Sequence, residues 1–327
     1  MRIGLYLDMR NPPQWRRPWA RHYARWVELV EEADRLGVDS VWLSEHHFFE
    51  DGYLSQPLAF AAAIAARTKR ARIGTAVLLP ALQRAAQLAE GAALVDVLSD
   101  GRLDLGVGAG YRVPEFEAFG ADIARRYELV ETRVREVREL WAGGRVVPGP
   151  VQDPVPWWGG FFGPRGVRLA GRLGMGLLAA VPELVPAYLA GLEEGGHPAS
   201  TARYAQPWNI VLADDPEAAW PRISEHLGYA WDSYGRYMVE GTDQPAPPPV
   251  DPEQMRAVGS GMGDAGAFFM VLTPGQAADF LRGVVASIPV EETFFWTSIA
   301  GMPEELEQRH VELVCTQLRP LVADLGP

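Results

Sequence analysis

Cysteine is nearly absent from this sequence of 327 residues: Cys315 stands alone. A single thiol excludes an intramolecular disulfide and any zinc site built on cysteine pairs, and it points to a reducing compartment, the cytoplasm. Positive charge is also in short supply, with 30 basic against 42 acidic residues and a net charge of −12. That balance excludes a general binder of nucleic-acid backbones or of anionic membrane surfaces, while leaving room for one locally basic pocket. Long apolar runs are missing. The start "MRIGLYLDMR" is too short for a signal peptide, and no stretch reaches a transmembrane length. There is no P-loop. The G-x-G-x-x-G match at 261–266 follows a proline-rich stretch rather than a strand, so a tightly bound nicotinamide dinucleotide is not expected.

What the sequence does have is alternation. Short apolar runs at 3–7, 40–44, 72–79, 102–108, 155–160, 174–180, 208–213 and 293–299 read as strands. Segments of helical period separate them, at 23–37, 57–70, 83–97, 125–141, 165–173, 182–194, 216–237, 274–286 and 303–323. Eight such strands, most followed by a helix, predict one α/β domain over 1–327, a (β/α)8 TIM barrel, with a doubly wound sheet as the competing architecture. Residues 240–264, rich in proline and glycine, form an extended loop between strands seven and eight, either a lid or an excursion.

Histidine is sparse, at six residues, yet two adjoin in "WLSEHHFFEDG" (42–52). Successive residues on a strand point to opposite sides, so Glu45, His46 and His47 do not share a metal ion. No His-x-His pair or His-Glu-x-x-His helix occurs either, and no metal is expected. The triplet falls where the second strand ends, and in a barrel the strand tips build the active site. An imidazole there can act as general acid or base; packing at the rim is the alternative. "LGVGAGYRVPEF" (105–116) ends the fourth strand with alternating glycines that let a flat ring or a phosphate approach the backbone. "WWGGFFGPRGVRLAGRLG" (157–174) reads as strand, glycine-rich turn and helix. With Arg165 it makes an anion site, or else serves only to reverse the chain.

The blocks "GVDSVWLSEHHF" (37–48), "RIGTAVLLP" (72–80), "DVLSDGRLDLGVGAGYRVPEFEAFG" (96–120), the segment 157–174 and "GYAWDSY" (228–234) together resemble the bacterial luciferase-like monooxygenase family. The likeness spans nearly the whole chain. It implies a barrel that binds reduced FMN, with His46 as acid/base beside the flavin and Glu45 and His47 shaping the same pocket. It also implies a non-prolyl cis peptide at Ala76–Val77 under the isoalloxazine ring, further cofactor contacts from Gly108, Ala109, Tyr111 and Arg112, and a phosphate-binding turn at Gly160, Gly163, Arg165 and Gly166. A separate flavin reductase would supply the reduced flavin, which would react with O2 to a C4a-peroxide that oxygenates a small organic substrate. Members often form homodimers. Two departures stand out. Ala109 replaces an arginine common in FMN-using members, so Arg112 or Arg165 would take its place, and Leu82-Gln83 replaces the frequent His-Pro. "GAGYR" (108–112) resembles members that use a deazaflavin, which makes deazaflavin-dependent hydride transfer the alternative. A non-catalytic flavin-binding barrel is a third reading.

Overall fold

The computed structural model describes residues 1–178, 181–258 and 269–326. In chain order the elements are β1 (Arg2–Leu7), α1 (Trp19–Leu36), β2 (Ser40–Leu43), α2 (Pro57–Arg67), β3 (Arg72–Thr75), α3 (Ala85–Ser99), β4 (Leu103–Val107), α4 (Val113–Ala118), α5 (Arg126–Ala142), β5 (Trp157–Gly159), α6 (Pro164–Arg172), β6 (Gly176–Leu177) and α7 (Val185–Glu194). They continue with β7 (Ala205–Trp208), β8 (Ile210–Leu212), α8 (Pro216–Val239), α9 (Pro252–Val258), β9 (Met270–Leu272), α10 (Pro274–Ser287), β10 (Glu292–Trp296) and α11 (Glu304–Leu313). Eight strands pair side by side in the order β6-β5-β4-β3-β2-β1-β10-β7, and every pairing is parallel. The ring closes where the Leu177 N–H donates to the Arg203 carbonyl at 2.9 Å and Leu177 bridges to Tyr204. This is the expected (β/α)8 barrel.

The apolar runs explain the closure. β2, β4 and β10 are buried along their full length, as strands covered by helices outside and side chains inside must be. Large rings fill the interior: Trp42 stacks on Phe294 at 4.9 Å and meets Trp158 edge-on at 6.1 Å. Adjacent strands leave room by carrying no side chain. A Cβ on Gly74 would fall 2.3 Å from the Trp42 ring, and one on Gly176 would fall 2.5 Å from that of Trp158. The indole N–H groups donate to buried carboxylates at the N-terminal end, Trp42 to Glu292 at 2.7 Å and Trp158 to Asp104 at 3.1 Å. Arg2 and Arg72 pair with those carboxylates, so the lower mouth is plugged by a satisfied network.

Three expectations need correction or limits. The seventh barrel strand is β7, not the run 208–213; Gln206 stands opposite Thr293 of β10. Ile210–Leu212 instead pairs with Met270–Leu272 in a separate two-stranded sheet. The apolar run drew the strand assignment, whereas Pro207, which has no N–H for a ladder, disguised the true strand. β3 stops at Thr75; the Ala76–Val77 peptide that follows is cis, and the chain rejoins β4 through a bridge from Leu78 to Val107. The extended loop holds α9, while its residues 259–264, the glycine match at 261–266 and the end of the expected sixth strand at 179–180 lie outside the described residues. Among the described residues no helix is long and apolar enough to cross a membrane.

Candidate active site

β2 ends at Leu43, and the next residues carry the triplet over the C-terminal rim. Alternation then divides it. The His46 ring lies among aromatic rings, 4.4 Å from that of Tyr53, 5.0 Å from Phe49, 6.0 Å from Tyr234 and 6.1 Å from Tyr111. Its backbone N–H donates to the Leu54 carbonyl at 2.9 Å. Burial, and after it the charges of Arg10, His47 and Arg112, push its pKa down to about 3, so the imidazole is neutral. Its Nδ1 has no hydrogen-bond partner among the described residues and stands 3.9 Å from the Glu115 carboxylate.

Glu45 and His47 turn the other way. One Glu45 oxygen meets His47 Nε2 at 3.0 Å, and the other accepts the Leu79 N–H at 2.8 Å, with the Gln83 amide at 3.3 Å from both. They line a cavity of about 860 Å³ on the flank of the barrel, with Gln83, Arg84 and Arg133. The expectation that they share His46's pocket is therefore corrected: they tie the tip of β2 to the segment after the cis bond. Arg112 lies close by. It is buried, pairs with Glu240 at the end of α8, and donates to the His47 carbonyl. The Phe49 and Tyr237 rings lie over its guanidinium carbon at 5.1 and 4.7 Å.

The remaining expected residues fall into two groups. Val77 meets the backbone beyond β4 and β5: a Cβ on Gly108 would fall 2.5 Å from Val77 Cγ2, and one on Gly160 would fall 2.4 Å from Cγ1. Ala76 and Val77 are half-buried, Ala109 is nearly covered, and Tyr111 is exposed on the His46 side. Farther along, Gly163 precedes α6, and Gly166 packs so closely under Phe161 that a Cβ would fall 2.5 Å from it. Arg165 is exposed in the first turn of α6, its guanidinium carbon 4.7 Å from the centre of the Tyr127 ring.

Sequence reasoning missed a second set of polar residues at the same mouth. Arg10, fully buried just past β1, donates through Nε to Asp51 at 2.7 Å and through Nη1 to the Ala230 carbonyl at 3.3 Å. Asp8 accepts the Ala300 N–H at 3.0 Å, yet burial raises its pKa to about 7. Polar residues directly after a barrel strand, as Asp8 and Arg10 are after β1, were the available signal.

Comparison with known proteins gives the class. The chain belongs to the luciferase-like monooxygenase family of oxidoreductase enzymes, whose family model matches residues 1–288. It is 32% identical over 195 residues to an F420-dependent glucose-6-phosphate dehydrogenase of Amycolatopsis mediterranei (strain U-32), covering 51% of this chain and 59% of that one. It is 34% identical over 140 residues to the alkanal monooxygenase alpha chain of Photorhabdus luminescens, covering 42% of this chain and 38% of that one. These matches span less than two thirds of the curated relatives' length. The crystal structure of monooxygenase RslO1 from Streptomyces bottropensis superposes with a TM-score of 0.79 at 25% identity, covering 98% of this chain and 99% of that one.

Proposed function

We propose that this chain is a flavin-dependent monooxygenase that uses reduced FMN and O2 to place one oxygen atom on a small organic substrate. The observation that carries the reading is the meeting of Val77, Gly108 and Gly160 in one surface beside the rim that holds His46. A Cβ at either glycine would strike a Val77 methyl, so the bulge packs directly on the backbone after β4 and β5 and is held in place where a flat ring would rest. The far end of the cofactor also has a candidate partner. Arg165, whose guanidinium lies against the Tyr127 ring, stands at a helix start with Gly163 and Gly166, where a phosphate is stabilised by backbone N–H groups and positive charge.

Bound there, a reduced flavin supplies the electrons that divide dioxygen between product and water. The protein's own part is placement and proton control. Ala76, Val77 and Gly108 would support the ring, Ala109 and Tyr111 would flank it, and Gly160, Gly163, Arg165 and Gly166 would hold the phosphate. His46, kept neutral by burial and with Nδ1 unpartnered among the described residues, can exchange a hydrogen bond with a reacting oxygen without taking on charge. The rings of Phe49, Tyr53 and Tyr234 around it exclude water. The sequence carries no dinucleotide fingerprint between a strand and a helix, so reduced flavin would come from a separate reductase.

Ala109 and the likeness to an F420-dependent dehydrogenase favour a second reading, deazaflavin-dependent hydride transfer on the same site. Titration with FMN, reduced FMN and a deazaflavin, followed by oxygen uptake, separates the two. Binding of reduced FMN with substrate-dependent oxygen uptake is expected. Tight deazaflavin binding without oxygen uptake would replace the first reading with the second. Flavin binding without any turnover, left unchanged by His46→Ala, would reduce the barrel to a flavin-binding scaffold.

A further inference from the structure

The upper mouth holds a chain of three tyrosine hydroxyls that ends beside the cleft. Tyr6 of β1, Tyr53 of the loop after β2 and Tyr234 of α8 form a chain, with oxygens 3.1 Å apart between Tyr6 and Tyr53 and 2.7 Å between Tyr53 and Tyr234. Each hydroxyl has one proton to donate, and the two links consume two of the three. Tyr6 and Tyr53 are buried, whereas Tyr234 is half-buried with its ring 6.0 Å from that of His46. The third donor can leave at either end, at Tyr6 towards Ser44 or at Tyr234 beside the cleft, and only the Tyr234 end is open to a ligand.

The chain is braced from behind. The Arg10 guanidinium carbon lies 5.2 Å from the centre of the Tyr53 ring and 5.4 Å from those of Tyr229 and Tyr234. Asp51 cancels its charge through a bond of 2.7 Å. A charge-balanced site does not select an anion; it suits a neutral oxygen that accepts one hydrogen bond. Burial raises the pKa of Tyr53 and Tyr234 well above the ordinary phenol range, so both keep their protons to donate. The walls nearby are also rings: Trp231 lies 6.0 Å from Tyr234 and 6.1 Å from Trp296. Such walls fit a flat or cyclic apolar body.

We propose that Tyr234, backed by Tyr53 and Tyr6, donates a hydrogen bond to a neutral carbonyl oxygen on a ring-shaped apolar substrate and so sets which part of that ring faces His46. This rests on the oxygenase reading of the site and adds the substrate class to it.

Equilibrium binding of 1-tetralone and of tetralin, the same bicycle without the oxygen, tests the idea on the full chain without turnover. The wild type is expected to hold the ketone roughly five- to tenfold more tightly. Tyr234→Phe keeps the ring and removes the donor, so ketone binding is expected to weaken by that factor while tetralin binding stays unchanged. Should that variant fail to fold, Tyr234→Leu, which also removes the donor, is expected to lower the same ratio. Equal binding of the two compounds by the wild type, binding of neither, or an unchanged ratio in a folded variant overturns the proposal. Flavin binding and oxygen uptake by the wild type report separately on the oxygenase reading. A chain that passes those tests but shows no ketone preference loses only the tyrosine assignment.

Discussion

Val77 occupies the space that a side chain on Gly160 would need, for a Cβ at that glycine would fall 2.4 Å from Val77 Cγ1. Gly160→Ala is expected to cost about 1–3 kcal/mol through overpacking and to weaken flavin binding. Val77→Ala in the same chain removes the clash, so the double variant is expected to recover most of the loss. Urea denaturation of the two single variants and the double variant measures the coupling. Strictly additive losses would separate the glycine from the bulge.

Glu45 holds the tip of β2 to the backbone after the cis bond through Leu79 and also engages His47. Glu45→Ala leaves a buried N–H without its acceptor and is expected to destabilise the fold by roughly 1–3 kcal/mol. Glu45→Gln retains an acceptor oxygen and is expected to lose less. Thermal melting ranks the two, and an alanine variant as stable as the wild type would show that the carboxylate holds nothing.

The stability of the fold is expected to drop in acid through His46. Its pKa is near 6.5 in the unfolded chain and about 3 in the fold. Between those values the unfolded chain binds a proton that the folded chain refuses, so stability falls as pH drops from 6.5 towards 3. His310, also lowered to about 3 by burial, acts in the same direction. Asp8 acts oppositely: with a folded value of about 7 against 3.8, it contributes stability in acid that is lost as pH rises through 7. His46→Gln is expected to remove a share of the acid loss on the order of a few kcal/mol. Urea melts at neutral pH and near pH 4 check this. Identical acid losses in variant and wild type would show that His46 takes up its proton in the fold.

Arg165→Ala is expected to weaken FMN roughly tenfold while leaving riboflavin, which lacks the phosphate, nearly unchanged. The difference should shrink as salt is added, because Arg165 is exposed. Fluorescence titration with both flavins measures it, and equal losses for the two would move the phosphate elsewhere.

The barrel was legible because its strands, buried on both sides, spell continuous apolar runs. The exception is instructive. Pro207 breaks that spelling inside a true strand, while Ile210–Leu212 keeps it in a strand that the barrel does not use. The strand tip at 45–47 was legible too, and the period of two foretold that neighbours would part, although not which way each would face. The Arg10–Asp51 pair was not legible. It joins residues 41 positions apart, and the carbonyl Arg10 also holds is 220 positions away, so only the closed ring brings them together. The ion partner of Arg112 was hidden for a related reason, since Glu240 lies 128 positions along the chain.

The layer of Trp42, Trp158 and Phe294 has a consequence for traffic. These rings are fully buried and stop the barrel like a cork, with the Glu292 and Asp104 networks beneath them. Among the described residues the barrel axis is closed at that end, so whatever reaches the neighbourhood of His46 arrives and departs on the side of the strands' C-terminal tips.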